Sequence, residues 1–581
     1  MKRLILSLSF ILYYLFFSVS ALSAASLPGW TKKASKAVFT LKTFDEQGTL
    51  LGSSTGFFVT TDGVALSSYA PFKGASRAVV IDANGKELPV ACILGANETY
   101  DVARFRVAAV GRESSLSNSV KTQPLVVGHA SQRDINLSQH DDTGTQVWLL
   151  PYRELKNLPT GTITKAETFN DRYTYYTLAL TMPDNTVGAP LLNEAGEVIG
   201  LMQQPNQPTD VTTYAVSALF ADSLRISGLS INDPVLRATK IKKALPDEIE
   251  QALLTLYVAG AQMDSTAYAS LIGDFIEKFP QSQEGYIYRA QLAANGDNYS
   301  QADQDMNLAL KTNDKPDEAH YSFSRMIYQK EIYRPQIAFE PWTLDKALTE
   351  AQEAYTLSPQ PTYRYQQAIT LYALKRYDEA YNIYAELFNS PLRSPDLFYE
   401  AAHCKQLTND TTAQLALLDS CIAQFSKPYL KEAAPYLLAC SQAKMEAGKS
   451  RDAVSLLNDY EQLMAAQVND QFYYLRFQAE VAGRLFQQAL NDITRAIEMN
   501  PASDLYYAEK ASLQVRVGLY DDAIATATEA IRVASDHSDG YLFLGLAQCL
   551  KGQKAEGVKN LKKAKELGDP QADGLIEKYS K

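Results

Sequence analysis

The stretch Asp184-Asn185-Thr186-Val187-Gly188-Ala189-Pro190-Leu191-Leu192-Asn193, followed by Glu194-Ala195-Gly196-Glu197-Val198-Ile199-Gly200, sets short apolar runs between turn residues. Its surroundings, residues 30 to 230, continue in the same manner. Ala37-Val-Phe-Thr-Leu-Lys-Thr-Phe44 alternates apolar and polar residues and predicts a strand. Asp45 to Gly48 is a turn, Gly52 to Val59 a second strand, and Asp62-Gly63 a hairpin turn. Val79 to Ile81, Leu88 to Cys92, Val102 to Val107, Gln146 to Leu150, Thr174 to Leu180 and Val198 to Leu201 supply more strands. Many short strands without a helical period predict an all-β barrel or sandwich.

The opening stretch resembles the nucleophile segment of trypsin-fold serine proteases of the Deg/HtrA type, Gly-Asn-Ser-Gly-Gly-Pro-Leu followed by Gly-x-Val-Ile-Gly. Gly52 to Val59 resembles that family's entry strand, and Thr61 to Phe72 its Asp-Gly-Tyr-Ile-Leu-Thr-Asn-Asn-His-Val segment. Tyr100 to Val107 resembles its Asp-Leu-Ala-Leu strand, Gly161 to Thr164 its Gly-x-Val-Ser strand, and Tyr214 to Ser217 its closing strand. The resemblance implies a trypsin-like double β-barrel over residues 26–230 and sets the triad-equivalent positions at Ala70, Asp101 and Val187. Asn185 and Gly188 fall in the oxyanion loop.

Acyl transfer in such a site needs a nucleophile, a base to take its proton and a group to orient the base. Val187 has no attacking atom and Ala70 accepts no proton, so only Asp101 retains a triad chemistry. Thr186, Ser67 and Ser68 are neighbouring hydroxyls, and His129 and His140 lie elsewhere in the same half; a hydroxyl without a base is a weak nucleophile. Asp101 then reads as a structural carboxylate that binds backbone amides. No catalytic residue is expected, and the resemblance implies a pseudoprotease whose cleft captures an extended peptide or docks a partner.

Residues 231–245, from Asn232-Asp233-Pro234 to the basic Lys240-Ile241-Lys242-Lys243, read as a linker. No PDZ-like segment follows, a departure from typical Deg/HtrA chains. From 246 to 581 the composition changes to Ala, Leu, Tyr, Glu and Lys at helical spacing. Ala489, Ala523 and Gly557 recur every 34 residues, as do Ala496, Ala530 and Ala564; Gly518 and Gly552 share a third register. This resembles the tetratricopeptide pattern, and about eight helix pairs are expected, including one with a loop inserted at Arg334 to Trp342. Small residues at the two Ala registers let paired helices approach closely. The predicted fold class is thus an all-β trypsin-like double barrel followed by an all-α solenoid.

Such an array presents a concave face suited to a protein or peptide partner. Most of its tyrosines read as packing residues. Arg325, Gln329, Gln366, Lys405, Lys444 and Gln478 are the polar groove candidates, with a plain solvated face as the alternative. The chain carries five cysteines, Cys92, Cys404, Cys421, Cys440 and Cys549, in no metal-binding spacing. They read as small buried residues, with one disulfide among Cys404, Cys421 and Cys440 the alternative. Neither a metal nor a cofactor is expected.

Lys2-Arg3, the apolar run Leu4 to Val19 and the small residues Ser20 to Ala25 predict a secretory signal peptide over 1–25. An uncleaved anchor is the runner-up. With the signal removed, no integral membrane segment is expected, and the protein is placed in the periplasm or outside the cell. The formal charge of −11 argues against nucleic acid as a partner. Together these readings predict an exported non-catalytic interaction scaffold. The alternatives are an exported endopeptidase with a displaced triad and a periplasmic chaperone-like holdase.

Overall fold

The computed structural model describes residues 27–110, 120–130, 142–153, 156–205, 212–312 and 314–580. The expected signal peptide over 1–25 and His140 lie outside the described residues. By internal contacts the chain divides into two compact units, Met1–Lys315 and Pro316–Lys581.

Among the described residues the first unit opens with twelve strands: β1 Val38–Phe44, β2 Leu50–Phe58, β3 Val64–Ser67, β4 Arg77–Ile81, β5 Glu87–Asn97, β6 Val102–Val107, β7 Gln146–Leu149, β8 Thr160–Phe169, β9 Tyr173–Ala179, β10 Pro190–Leu192, β11 Val198–Met202 and β12 Thr212–Ser217. They close into two antiparallel barrels. The first has the order β1-β2-β3-β6-β5-β4, and the second has β7-β8-β9-β12-β11-β10, the same order six strands on. Alternation explains the closure. In β1, Phe39 and Leu41 point inward and are fully buried, while Thr40 and Lys42, which alternate with them, are only half-buried. Phe39, Phe58, Phe72 and Phe105 fill the first barrel, with ring centroids 4.8 Å (Phe39–Phe58) and 5.2 Å (Phe72–Phe105) apart. Val147, Leu149, Ile163, Leu178, Leu191 and Ile199 fill the second. A separate cluster including Val38, Phe57, Leu66, Leu192, Leu201 and Phe220 packs the barrels together. Burial of this kind contributes about 1.5–3 kcal/mol per large apolar side chain.

Residues 231–245 are bound to the first barrel. Gly74 N donates to Ala238 O (2.7 Å), Lys240 N to Ala75 O (2.8 Å), Ile93 N to Lys242 O (2.8 Å) and Ala244 N to Ile93 O (2.9 Å). The last two bonds make a parallel bridge to β5 at Ile93 and Lys243. Leu236 and Ile241 enter the first barrel's apolar cluster, so the segment is a strap with its own buried side chains. Two helix pairs complete the unit: Ile249–Gly260 with Ser265–Lys278, and Gln283–Asn295 with Tyr299–Thr312.

The second unit is helical throughout, seven antiparallel pairs from Pro316–Tyr333 to Lys554–Glu566 and a last helix Ala572–Tyr579. With the two pairs before residue 316 this makes nine among the described residues, where the spacing predicted about eight. Ala489, Ala523, Ala496 and Ala564 are 0% exposed, the close contacts their 34-residue recurrence implied. The reason for a small residue is plainest at Gly557. A Cβ there would lie 2.4 Å from Cys549 Sγ and 2.7 Å from Gly545 O. The inserted loop is anchored by Trp342, whose ring lies 5.9 Å from Phe323 and 5.6 Å from Phe339. All five cysteines are buried and unpaired.

Tyrosine–acid bonds tie consecutive repeats of this unit. Tyr363 Oη donates to Asp317 (3.1 Å), Tyr506 Oη to Asp470 (2.9 Å) and Tyr436 Oη to Asp396. In each case the acid stands in the first turn of one repeat's first helix, where a carboxylate also meets the positive end of the helix dipole.

Candidate functional site

Asp101 follows the turn after β5 and adopts φ +48°, a left-handed conformation that Asp tolerates. Its Oδ1 accepts from the backbone N–H of Ala70 at 2.7 Å, and its Oδ2 from the Ser68 hydroxyl. Its carbonyl accepts from Tyr69 N at 3.3 Å. Burial pushes the carboxyl above its usual range, against the bonds from Ser68, Ala70 and Tyr69. Asp101 thus folds the segment 68–70 around itself. Tyr69 turns inward, 1% exposed, and its hydroxyl donates to Val235 O of the strap at 2.6 Å. Ala70 is exposed at the rim.

The loop at Asn185–Ala189 belongs to the second barrel but is fastened to β2 of the first. Thr55 N donates to Val187 O (2.9 Å) and Thr55 Oγ1 to Asn185 O (2.6 Å). Asn185 has φ +59° and Gly188 φ +80°. A Cβ on Gly188 would lie 2.2 Å from Thr55 O and 3.0 Å from Ser68 N, so only glycine lets the loop close on the first barrel. Asn193 is 3% exposed: Nδ2 donates to His129 O and to Glu197 Oε2, both at 3.0 Å, and Oδ1 accepts from Glu197 N at 2.9 Å. It staples the turn between β10 and β11. These bonds give Gly188 and Asn193 structural roles independent of any nucleophile.

A cleft of about 490 Å³ lies where the barrels meet, lined by Ala70, Asp101, Lys73 and Glu98 on one side and Tyr175 and Tyr214 on the other. Lys73 and Glu98 pair at 2.5 Å. The rings of Tyr175 and Tyr214 stack 6.0 Å apart. Val187 does not line this cleft. The neighbouring hydroxyls are engaged: Ser67 Oγ donates to Thr55 O (2.7 Å), Thr186 Oγ1 to Pro183 O (2.5 Å) and Ser68 to Asp101. Among the described residues the arrangement offers an aromatic wall and two engaged charges to a bound chain, and no imidazole beside Asp101. The lining tyrosines were visible only as strand residues in sequence, since their facing positions depend on the barrel closure.

The six groove candidates do not form one surface of free polar groups. Arg325 and Gln329 stand exposed one turn apart on Pro316–Tyr333, Arg325 with its guanidinium 5.6 Å from the Tyr321 ring. Gln478 is exposed on Asp470–Ala482. Lys405 is drawn to Asp378 (3.6 Å) and lies 4.0 Å over the Tyr381 ring, and Lys444 pairs with Asp419 at 2.7 Å. Both lysines join a repeat to the one before it. Gln366, expected in the groove, is 4% exposed, its side-chain amide turned toward Thr370 Oγ1 at 3.4 Å. A glutamine at that helical position packs inward because its neighbours close over it.

Residues that sequence reading passed over carry the strongest electrostatics of the array. Arg476 is 5% exposed and binds Asp492 through two nitrogens, at 2.6 and 3.0 Å, and Glu461 at 2.6 Å. Burial opposes its charge, but these carboxylates hold its pKa above the usual guanidinium value. Arg289 and Asp305 repeat the geometry at the same sixteen-residue separation, 2.7 and 3.0 Å. That spacing was available in the sequence, hidden because an arginine stands where the repeat pattern has an apolar residue.

No protein-family model matches the chain. It is similar over 100 residues, at 29% identity, to the small glutamine-rich tetratricopeptide repeat-containing protein 2 of Saccharomyces cerevisiae, covering 17% of this chain and 29% of that one. Over 82 residues it is 34% identical to the TPR repeat-containing thioredoxin TDX of Arabidopsis thaliana, covering 14% and 22%. The chain thus spans less than a third of the length of these curated relatives. Among solved structures it is similar to the active form of the Rv3671c protease of M. tuberculosis, at 16% identity, a TM-score of 0.27, and coverage of 38% of this chain and 86% of that one. No helix of the described residues is long and apolar enough to cross a membrane. Two closed six-stranded barrels precede an array of helix pairs that is similar, over part of its length, to tetratricopeptide repeat proteins.

Proposed function

We propose that the protein is an exported, non-catalytic scaffold whose repeat array binds a protein or peptide partner and whose double barrel is a pseudoprotease docking module. The observation that carries this reading is the bonding of Asp101. Its two carboxylate oxygens are taken by Ala70 N and Ser68 Oγ, in the place where a triad aspartate holds an imidazole. With Val187 and Ala70 at the other triad positions, nothing there attacks a carbonyl or accepts its proton. The likeness to tetratricopeptide proteins supports the partner-binding role of the array. The residues 1–25 support export, and terminal sequencing of protein from the cell envelope is expected to begin after Ala25.

A fluorophosphonate probe tests the loss of chemistry. No labelling is expected for the natural chain, and none for Val187→Ser, because a serine without a base stays unreactive. The bond between Ser68 and Asp101 speaks for the displaced-triad reading, though Ser68 is 1% exposed. Labelling that maps to Ser68 and disappears in Ser68→Ala would establish a peptidase and overturn the scaffold. For the array, a photo-crosslinking residue at the exposed Arg325 or Gln478 is expected to capture a discrete envelope protein. Capture that tracks only with a crosslinker at Ala70, in the barrel cleft, would move partner binding to the barrels.

A further inference from the structure

The strap and the first helix pair of the barrel unit enclose a second cavity, about 510 Å³ in volume, within the range of small-molecule sites of about 300–1,000 Å³. It is separate from the cleft at Asp101. Its floor is apolar: Ile226, Leu236 and Ile241 from the strap side, and Met263, Ala267 and Leu271 from the helices. Leu236 and Ile241 are 3% and 4% exposed, while Met263 at the mouth is 39% exposed. Four cationic side chains, Arg237, Lys240, Lys242 and Lys243, line it against one carboxylate, Asp274. That excess of positive charge stands out in a chain of formal charge −11.

The four cations are not equivalent. Lys240 pairs with Glu46 and Lys242 with Asp274, each at 2.6 Å. Lys243 is half-buried, donates to the Thr239 carbonyl, and pairs with no carboxylate among the described residues. Burial holds its ammonium below the usual lysine range. Arg237 is exposed at the rim and likewise pairs with no carboxylate among the described residues. A half-buried ammonium without a counter-charge is unfavourable unless an anion neutralises it. The Lys242–Asp274 pair closes the inner wall, and Asp274 Oδ2 is buried with no partner there.

We propose that this cavity binds a single-chain amphiphile of the fatty-acid class, its hydrocarbon tail on the Ile226–Leu271 floor and its carboxylate on Lys243 and Arg237. The apolar floor accounts for the chain and the unpaired cations for the head. A neutral alcohol of equal length would keep the first contact and lose the second. The site is independent of the partner proposed for the repeat array.

The purified full chain is titrated with dansyl-aminoundecanoate, followed by its fluorescence, and the probe is displaced with dodecanoate. The expected result is saturable uptake of one probe per chain, displaced by dodecanoate and at least about tenfold less well by dodecanol. Lys243→Gln is expected to weaken dodecanoate about tenfold and leave dodecanol unchanged. Leu271→Trp, which fills the floor, is expected to abolish both. A diazirine-bearing palmitate photolysed on the unmodified chain, with labelled peptides mapped by mass spectrometry, gives a readout free of any folding defect in the variants. Labelling within residues 226–274 is expected. No saturable uptake up to about 100 μM overturns the proposal. So do equal affinities for acid and alcohol, labelling confined to other segments, or displacement by an apolar peptide but not by dodecanoate.

Discussion

The backbone N–H of Ala70 lies 2.7 Å from Oδ1 of Asp101. The carboxylate is held by the backbone of Ala70, and it organises the turn that carries Tyr69 inward to Val235. Asp101→Ala is expected to destabilise the barrel unit by about 1–3 kcal/mol, since it leaves the buried Ser68 hydroxyl without its acceptor. Asp101→Asn keeps one acceptor and is expected to be milder. The pH dependence has a definite sign. The folded carboxyl is raised from 3.8, mainly by burial, so its contribution is complete below that value and is lost as pH rises through the raised one. The advantage of the natural chain over Asp101→Asn in urea unfolding is therefore expected to be smaller at pH 7 than at pH 4.

Gly188→Ala is expected to be severe. The position has φ +80°, and a Cβ would lie 2.2 Å from Thr55 O. Strain and clash together are expected to lower stability by about 2–4 kcal/mol, read as a fall in the thermal midpoint of the barrels. Val187→Ala, next to it in the same loop but half-exposed, is expected to change it by less than about 1 kcal/mol. Equal effects would show that the loop is not held by the contact with Thr55.

The buried pair Arg476–Asp492 predicts a contrast between two substitutions. Arg476→Ala leaves the buried Asp492 without its cation, while Glu461 keeps Arg495 at 3.0 Å, an expected loss of about 3–5 kcal/mol. Glu480 beside them is 4% exposed on its side chain, and burial followed by repulsion from Asp492 pushes its carboxyl up to about 8. Its folded pKa is raised, so its contribution is full below about 4.5 and is lost as pH rises through about 8. The stability of the natural chain relative to Glu480→Gln is therefore expected to fall as pH rises from about 4.5 to about 8. Amide hydrogen exchange over residues 470–500 is the measurement, and a flat difference would remove the burial argument.

Tyr506→Phe deletes only the hydroxyl that binds Asp470 at 2.9 Å. An expected loss of about 0.5–1.5 kcal/mol follows from one hydrogen bond between neighbouring repeats. Because contacts in a repeat array run only between neighbours, protection should fall in the helices Asp470–Ala482 and Asp504–Arg516 before it falls at Pro361–Ala373. Uniform loss along the array would show that the repeats unfold as one block.

Residue type alone determined the class of each half. Alternation over Ala37–Phe44 and turns at Asp62-Gly63 called for antiparallel strands, because side chains on a strand alternate faces. The 34-residue recurrence of Ala489, Ala523 and Gly557 called for stacked helix pairs, because only small residues admit such close approach. Tertiary structure alone decided what the remaining groups touch. The partners of Asp101, the burial of Gln366, the pairing of Lys405 and Lys444 and the strap's hold on Ile93 all join elements distant in the chain. A hydrogen bond or an ion pair depends on distances of about 3 Å, and sequence spacing sets such distances only within an element, never between two that meet through folding.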